Sequence, residues 1–356
     1  IMGKGKRKNE TVDPPVSHEV GGQCPHVEPV RGGLQNGAVK CAPKRTPPTP
    51  AHLPNLPLLA GAFGVCKSGK SNALVNLIAA YQKAGSINLL YGISPTYHSN
   101  ASLQTLDFID ERKKGRKEKD PNYRIYDLVA KQGPEEEGFF GVFTNPHTSV
   151  EDLDRILAHI RGKNQEYKDE VEYKRVYKKW KKRELRLTPE EQFILSKESY
   201  RAPVHVPWPQ PGIFIDDMTH TPLMANSLNN NLSHLCLHHR HLDGVGVSIF
   251  QAFQTFKSGM PRVVRTNMSL ILLFSTMNMK EVEEIYNEVC NNVSFETFKR
   301  MIFEATKEPH GFLLINKMAD DETRQFGINY DRVFVVDPVA ERGKVLGYSD
   351  SKKAKT

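Results

Sequence analysis

Cysteine is scarce and irregular in this chain: five in 356 residues, at Cys24, Cys41, Cys66, Cys236 and Cys290, with no CxxC pair. An odd number of widely spaced thiols excludes a disulfide framework and fits a reducing, intracellular setting. Long hydrophobic runs are also missing. No stretch approaches the ~20 apolar residues a membrane-spanning helix needs, and the opening IMGKGKRKNE lacks the apolar core of a secretion signal. Internal repeats are absent, as are helix-turn-helix, zinc-finger and RNA-module signatures. The near neighbours in CLHHRH, Cys236, His238, His239 and His241, have only Cys24 and His26 as a partner cluster, a poor match for structural zinc.

What is present is a soluble composition, 38% hydrophobic and 25% charged, with a formal net charge of +8. That balance favours a polyanionic partner without naming one. Residues 1–52 are rich in Pro, Gly and Lys and read as an extended or flexible arm. Residues 53–340 read as one α/β domain, and 341–356 as a loose tail. Apolar strands are expected at PLLAGAFGV, SINLLYGIS, PGIFIDDM, VGVSIFQAFQTF and NMSLILLFST. Each is apolar throughout, as strands covered on both faces should be. Helices are expected over SNALVNLIAAYQK, with Leu74, Leu77, Ile78 and Tyr81 on one stripe, and over most of 221–243. EVEEIYNEVCNN and SFETFKRMIFEAT read as amphipathic helices. GFLLINK and RVFVVD read as late strands, a hairpin at the sheet edge. The polar stretch of about 99–200 reads as a helical insertion. Its segment 161–186 carries eleven Lys or Arg against five Asp or Glu, which suits either a solvated helix or a phosphate-backbone contact.

The chemistry concentrates at GVCKSGKS. Gly64, Gly69, Lys70 and Ser71 satisfy GxxxxGK[ST] between a strand and a helix. Glycines let backbone N–H groups curl around a β-phosphate, and the following helix offers open N–H groups and a positive dipole end. Gly64, Val65, Cys66, Lys67, Ser68, Gly69, Lys70, Ser71 and Asn72 form the expected ATP-binding loop. Lys70 reaches the β and γ oxygens, and the Ser71 hydroxyl ligates Mg²⁺. The strand-end acids of IFIDDM supply the opposite side: Asp216 for the metal and Asp217 to polarise the attacking water. Gln254 ends the next strand, where an amide is able to orient water; its choice as a site residue comes from the resemblance described next. Arg240, Arg262 and Arg265 are candidates for a charge donated to a neighbouring subunit, Arg240 first and Arg265 second. Asn316, Lys317 and Asp320 approach a guanine-reading NKxD but carry one residue too many.

The succession GVCKSGKS, LLYGISPTY, GIFIDDM, HHRHLDGVGVSIFQAFQTF and MPRVVRTNMSLILLF resembles the FtsK/HerA superfamily, in the branch of poxvirus A32-like viral genome-packaging ATPases. The resemblance covers about 56–276. It implies a RecA-like P-loop NTPase with a mostly parallel central sheet covered by helices, plus the inserted basic element. It further implies a Mg-dependent ATPase that forms a homo-oligomeric ring of five or six subunits, moves double-stranded DNA, and docks on a capsid or portal component. The expected place is host cytoplasm or a viral factory. Lys70, Ser71, Asp216, Asp217 and Gln254 match that family's site residues. A DNA transfer or segregation pump of the same superfamily, and a non-motor P-loop nucleotide kinase or switch, are the alternatives.

Overall fold

A computed structural model describes residues 49, 53–111, 139–182, 186–225, 230–257, 259–275, 278–290, 292–319 and 324–336. The expected N-terminal arm, apart from Thr49, and the C-terminal tail lie outside the described residues. Among the described residues no helix is long and apolar enough to cross a membrane.

Nine strands make one sheet in the order β3-β2-β4-β5-β1-β6-β7-β8-β9. The parallel part comprises β1 (Leu59–Phe63), β2 (Leu89–Ile93), β3 (Val142–Phe143), β4 (Pro211–Ile215), β5 (Ser248–Phe253) and β6 (Leu270–Phe274). β1, β4, β5 and β6 are buried along their whole length, so their continuous apolar sequence follows from having both faces covered. β1 lies at the centre, between β5 and β6. Phe63 pairs with Phe253 and Leu273, and Ile215 pairs with Gln251, so β1, β4, β5 and β6 end at one rim. Three antiparallel strands extend the sheet beyond β6: β7 (Phe312–Asn316), β8 (Phe326–Ile328) and β9 (Arg332–Phe334). The expected edge hairpin is therefore a three-stranded meander. Strand β8, in the short run QFGI, carried too little apolar pattern to be read from sequence.

Alternation divides each strand between two cores. Leu58, Ala60, Ala62, Phe214, Phe250, Leu270 and Leu272 face helix α1 (Lys70–Lys83) through Leu74, Leu77, Ile78 and Tyr81. Leu59, Phe63, Ile213, Ile215, Ile249, Phe253, Ile271 and Leu273 face the other helices. These are α2 (Ser149–Lys182), α4 (Asn231–His238), α5 (Arg262–Asn267), α6 (Met279–Val289) and α7 (Phe295–Ala305). The expected helix over most of 221–243 is cut back to α4. Asn230 stops it from starting earlier: its side-chain oxygen accepts from the Leu232 and Ser233 N–H groups, while its amide donates to the Leu223 and Ala225 carbonyls.

The 99–200 stretch is not all insertion. Leu103, Leu106 and Phe108 pack under α1, and β3 pairs with β2. Leu153, Ile156, Leu157 and Ile160, at helical spacing, root α2 in the second core. Beyond that root α2 continues as one wall of an arm, with α3 (Pro189–Lys197) as the other. The arm has its own small core of Tyr173, Val176 and Leu195. Thr188 and Glu191 start α3 with a capping box. Glu170 fastens the returning segment of the arm, accepting from Arg201 at 2.6 Å and from the Val204 N–H at 2.7 Å. Arg201 also lies over the Tyr173 ring, 4.9 Å from its centroid.

The hydrogen bonds from Arg201 hold the Glu170 carboxyl below its ordinary value of 4.5. The stabilisation is present above that value and is lost as pH falls from it through the lowered value of the folded chain. Glu170→Ala is therefore expected to speed amide exchange in 165–182 and 189–200 by about tenfold, kept modest because Arg201 is partly open to solvent. Exchange in β1, β4 and β5 should not change, and lowering the pH below the carboxylate range should loosen the wild-type arm in the same way.

Candidate functional site

The loop 64–69 leaves the rim at the end of β1 and enters α1. Gly64 passes so close to β6 that a Cβ there would lie 2.6 Å from the Phe274 Cβ. Gly69 has φ +104, a conformation that favours glycine, and it caps α1 with no side-chain acceptor. The first-turn N–H groups of a 14-residue helix are thus left without a side-chain cap, at its positive end. The Ser68 hydroxyl is sequestered with no partner among the described residues. Lys70 is buried, and its ammonium donates to the Gly64 carbonyl at 2.9 Å and the Val65 carbonyl at 2.7 Å. Burial lowers the Lys70 pKa, opposed by the nearby charges of Cys66, Asp216 and Asp217.

The acids meet this loop. Asp216 follows β4, is buried, and its backbone N–H donates to the Ile93 carbonyl at 3.1 Å. The Ser71 side chain lies beside its carboxylate. Burial pushes the Asp216 carboxyl above its ordinary 3.8, and Asp217 adds to this. The Ser71 hydroxyl, Lys70 and the Asp217 N–H pull the other way. Asp217 has a left-handed backbone, φ 55, and is exposed on the turn beyond the strand. A hydroxyl and a carboxylate held against each other beside an uncapped helix start are a donor set that fits Mg²⁺ and phosphate. Ser71 and Asp216 would hold the metal, and the loop amides and Lys70 the phosphates.

Gln254 sits exposed just past β5, the strand between β1 and β4, so the topology puts it between the loop and the acids. Gln251, earlier on the same strand, is fully buried in the second core beside Cys236 and faces away from α1. Cys66, Lys67 and Asn72 are exposed on the loop and first turn; Lys67 has φ 62.

The arginines lie elsewhere. Arg240 is exposed at the opposite rim. It touches the Met318 sulfur at 3.7 Å, just past the β7 residue that pairs with the first residue of β6. Arg262 is exposed on α5. Arg265, expected as a second free cation, is not one in this fold. It is buried, paired with Glu288 at 3.0 Å, and donates to the Lys257 and Met260 carbonyls while lying over Phe256. Asn316 and Lys317 are also at the rim away from the P-loop, and Asp320 lies outside the described residues. His239 is buried with its Nδ1 at 2.9 Å from the Cys236 carbonyl.

Two interactions with the loop and its helix escaped sequence reasoning. His310 Nδ1 lies 3.2 Å from the Ser68 carbonyl, and the Tyr330 hydroxyl donates to the Ala73 carbonyl at 2.9 Å. Both come from beyond residue 300, and no spacing signal links them to a loop near residue 68.

The raised pKa of Asp216 means that the folded chain holds that proton more tightly than the unfolded chain. Above the carboxylate range the ionised group therefore destabilises the fold. Asp216→Asn is expected to raise Tm by about 1–3 °C without added ligand, measured by calorimetry at pH 7.

No family model matches the chain, and no curated protein matches it. Solved structures do. One is the genome packaging NTPase B204 from Sulfolobus turreted icosahedral virus 2 in complex with AMPPCP: 13% identity, 79% of this chain, 98% of that chain, TM-score 0.43. Another is EccC (ATPases 2 and 3) of Thermomonospora curvata, at 12% identity over 80% of this chain and 38% of that one, TM-score 0.37. A third is EssC (ATPases 2 and 3) from Geobacillus thermodenitrificans, at 11% identity, 82% and 42%, TM-score 0.37. All three likenesses are at low identity, and the chain's own architecture is α/β, with a mostly parallel sheet covered by helices.

Proposed function

We propose that the chain is a Mg-dependent ATPase whose hydrolysis drives double-stranded DNA, in the setting of genome packaging into a preformed capsid. The observation that carries the enzymatic part is the meeting of Ser71, Lys70 and Asp216 at one rim. Two segments far apart in sequence, the P-loop and the end of β4, converge there on an uncapped helix start.

The residues divide the work. Lys70 exchanges its two loop carbonyls for phosphate oxygens, a stronger, charge-assisted partner set. The loop amides and the start of α1 hold the phosphate tail against the dipole end. Mg²⁺, when bound by Ser71 and Asp216, neutralises charge on the phosphate oxygens. Asp217, exposed beside Asp216, polarises the attacking water and accepts its proton. Gln254 orients that water from the intervening strand. Arg240, remote from its own loop and exposed, serves a neighbouring copy, which makes the working form a homo-oligomeric ring. Capsid or portal docking and a reducing intracellular site complete the reading.

The DNA contact is assigned to the arm. Lys174, Lys178 and Lys181 are exposed at spacing i, i+4 and i+7, one stripe of α2. Beside it Tyr177, Trp180 and Tyr200 form a run of rings with centroids 5.4 Å apart. Such a stripe reads phosphate charge rather than base sequence.

Three outcomes are expected. Lys70→Ala abolishes the ATP-dependent rise in Tm and lowers turnover at least about a hundredfold. Asp217→Asn binds ATP within about threefold of wild type but loses about a hundred- to a thousandfold in kcat. Changing Lys174, Lys178 and Lys181 together to Ala weakens duplex stimulation of hydrolysis and makes its salt dependence shallower, by roughly 0.9 in log–log slope for each phosphate no longer neutralised. An ATPase rate indifferent to duplex DNA would count against the motor and leave a non-motor P-loop enzyme.

A further inference from the structure

The turn before β7 reaches over to the P-loop from the far side of β6. Gly311 makes the turn tight: its N–H donates to the Glu308 carbonyl at 3.0 Å, and a Cβ there would lie 2.4 Å from the Ala305 carbonyl oxygen. His310, just before it, has φ 63, a left-handed backbone uncommon outside glycine that histidine tolerates better than most residues. The imidazole is thereby placed against the loop. A Cβ on Gly69 would meet the His310 Cβ and Nδ1 at 3.2 Å. A carbonyl can only accept, so the 3.2 Å contact with Ser68 has Nδ1–H as donor.

In a trans peptide the carbonyl of one residue and the N–H of the next point to opposite sides. Holding the Ser68 carbonyl toward His310 turns the Gly69 N–H away from it. We propose that His310 is a positioning residue that, through the Ser68 carbonyl, aims the Gly69 N–H into the phosphate cradle. It touches no reacting atom. The inference rests on the nucleotide reading of the loop given above.

The surroundings of His310 are built to hold it there. The Phe312 N–H donates to the Asn329 side chain at 3.1 Å, and the Asn329 N–H returns to the Phe312 carbonyl at 3.0 Å. The Phe312 ring lies 5.0 Å from both Phe274, the residue that backs Gly64, and Tyr330, whose hydroxyl holds the first turn of α1. The antiparallel extension thus touches the loop at Ser68 and its helix at Ala73, and packs on Phe274 beside Gly64. His310 supplies the polar tie to the loop itself.

The test uses the full chain and titration with a fluorescent ATP analogue in Mg²⁺, alongside KM and kcat for ATP. Lys70→Ala, His310→Leu, His310→Gly and His310→Asn are compared, with unliganded Tm measured for each. Asn tolerates positive φ and carries a donor near the Nδ1 position; Gly relieves the backbone but donates nothing. Leu and Gly are expected to weaken binding and raise KM by about three- to tenfold, with kcat within about twofold of wild type. Asn should remain within about twofold of wild type in both. Wild-type affinity in the Leu and Gly variants overturns the proposal. So does an Asn variant as weak as Leu, or weakening that follows unliganded Tm across the variants. If wild type and Lys70→Ala titrate alike, the nucleotide reading itself fails, and the proposal with it.

Discussion

A carboxylate and an ammonium, both taken largely out of water at one end of a sheet, set the terms for this molecule. Asp216 is tolerated because Ser71 lies beside it and Lys70 stands within electrostatic range; Lys70 is tolerated because two loop carbonyls accept from it. Neither arrangement survives without the other elements being in register. β4 must end level with β1, and β5 must lie between them, or the charges would be buried apart. The apolar strands are what make that register rigid, since a slip by one residue would turn Phe63, Ile215 and Phe253 out of their core.

Much of this was legible in the residues. A glycine-rich turn between an apolar strand and an amphipathic helix can be read locally, because each requirement lies within one short stretch of chain. The position of the acid pair was legible for the same reason: an apolar strand that ends in Asp-Asp places both acids at the rim where that strand stops. What could not be read were features created by packing across long separations. Arg265 looks in sequence like any exposed basic residue of a short helix. Only the approach of Glu288 and the Lys257 and Met260 carbonyls turns it into a buried tie. His310 lies 242 residues from Ser68, and no period or motif connects them. Asn230 ended the expected long helix through side-chain bonds to carbonyls that the sequence does not place nearby.

The polar middle of the chain illustrates a different limit. Composition alone makes 99–200 look like one inserted piece. The four apolar residues Leu153, Ile156, Leu157 and Ile160 are enough to draw the first third of α2 into the main core, while the charged remainder stays outside. A single helix therefore belongs to two environments. Beyond the root, the arm depends on a small aromatic core and on Glu170 with Arg201, so its order is separable from that of the sheet.

That continuity has a mechanical side. The root of α2 packs against β2 and against the short helical turn Pro222–Met224, only a few residues beyond Asp217. At about 1.5 Å per residue the helix runs about 50 Å, roughly two-thirds of it past the root. A stiff rod pivoted near one end amplifies: a tilt of about five degrees at the root carries the far end through about 3 Å.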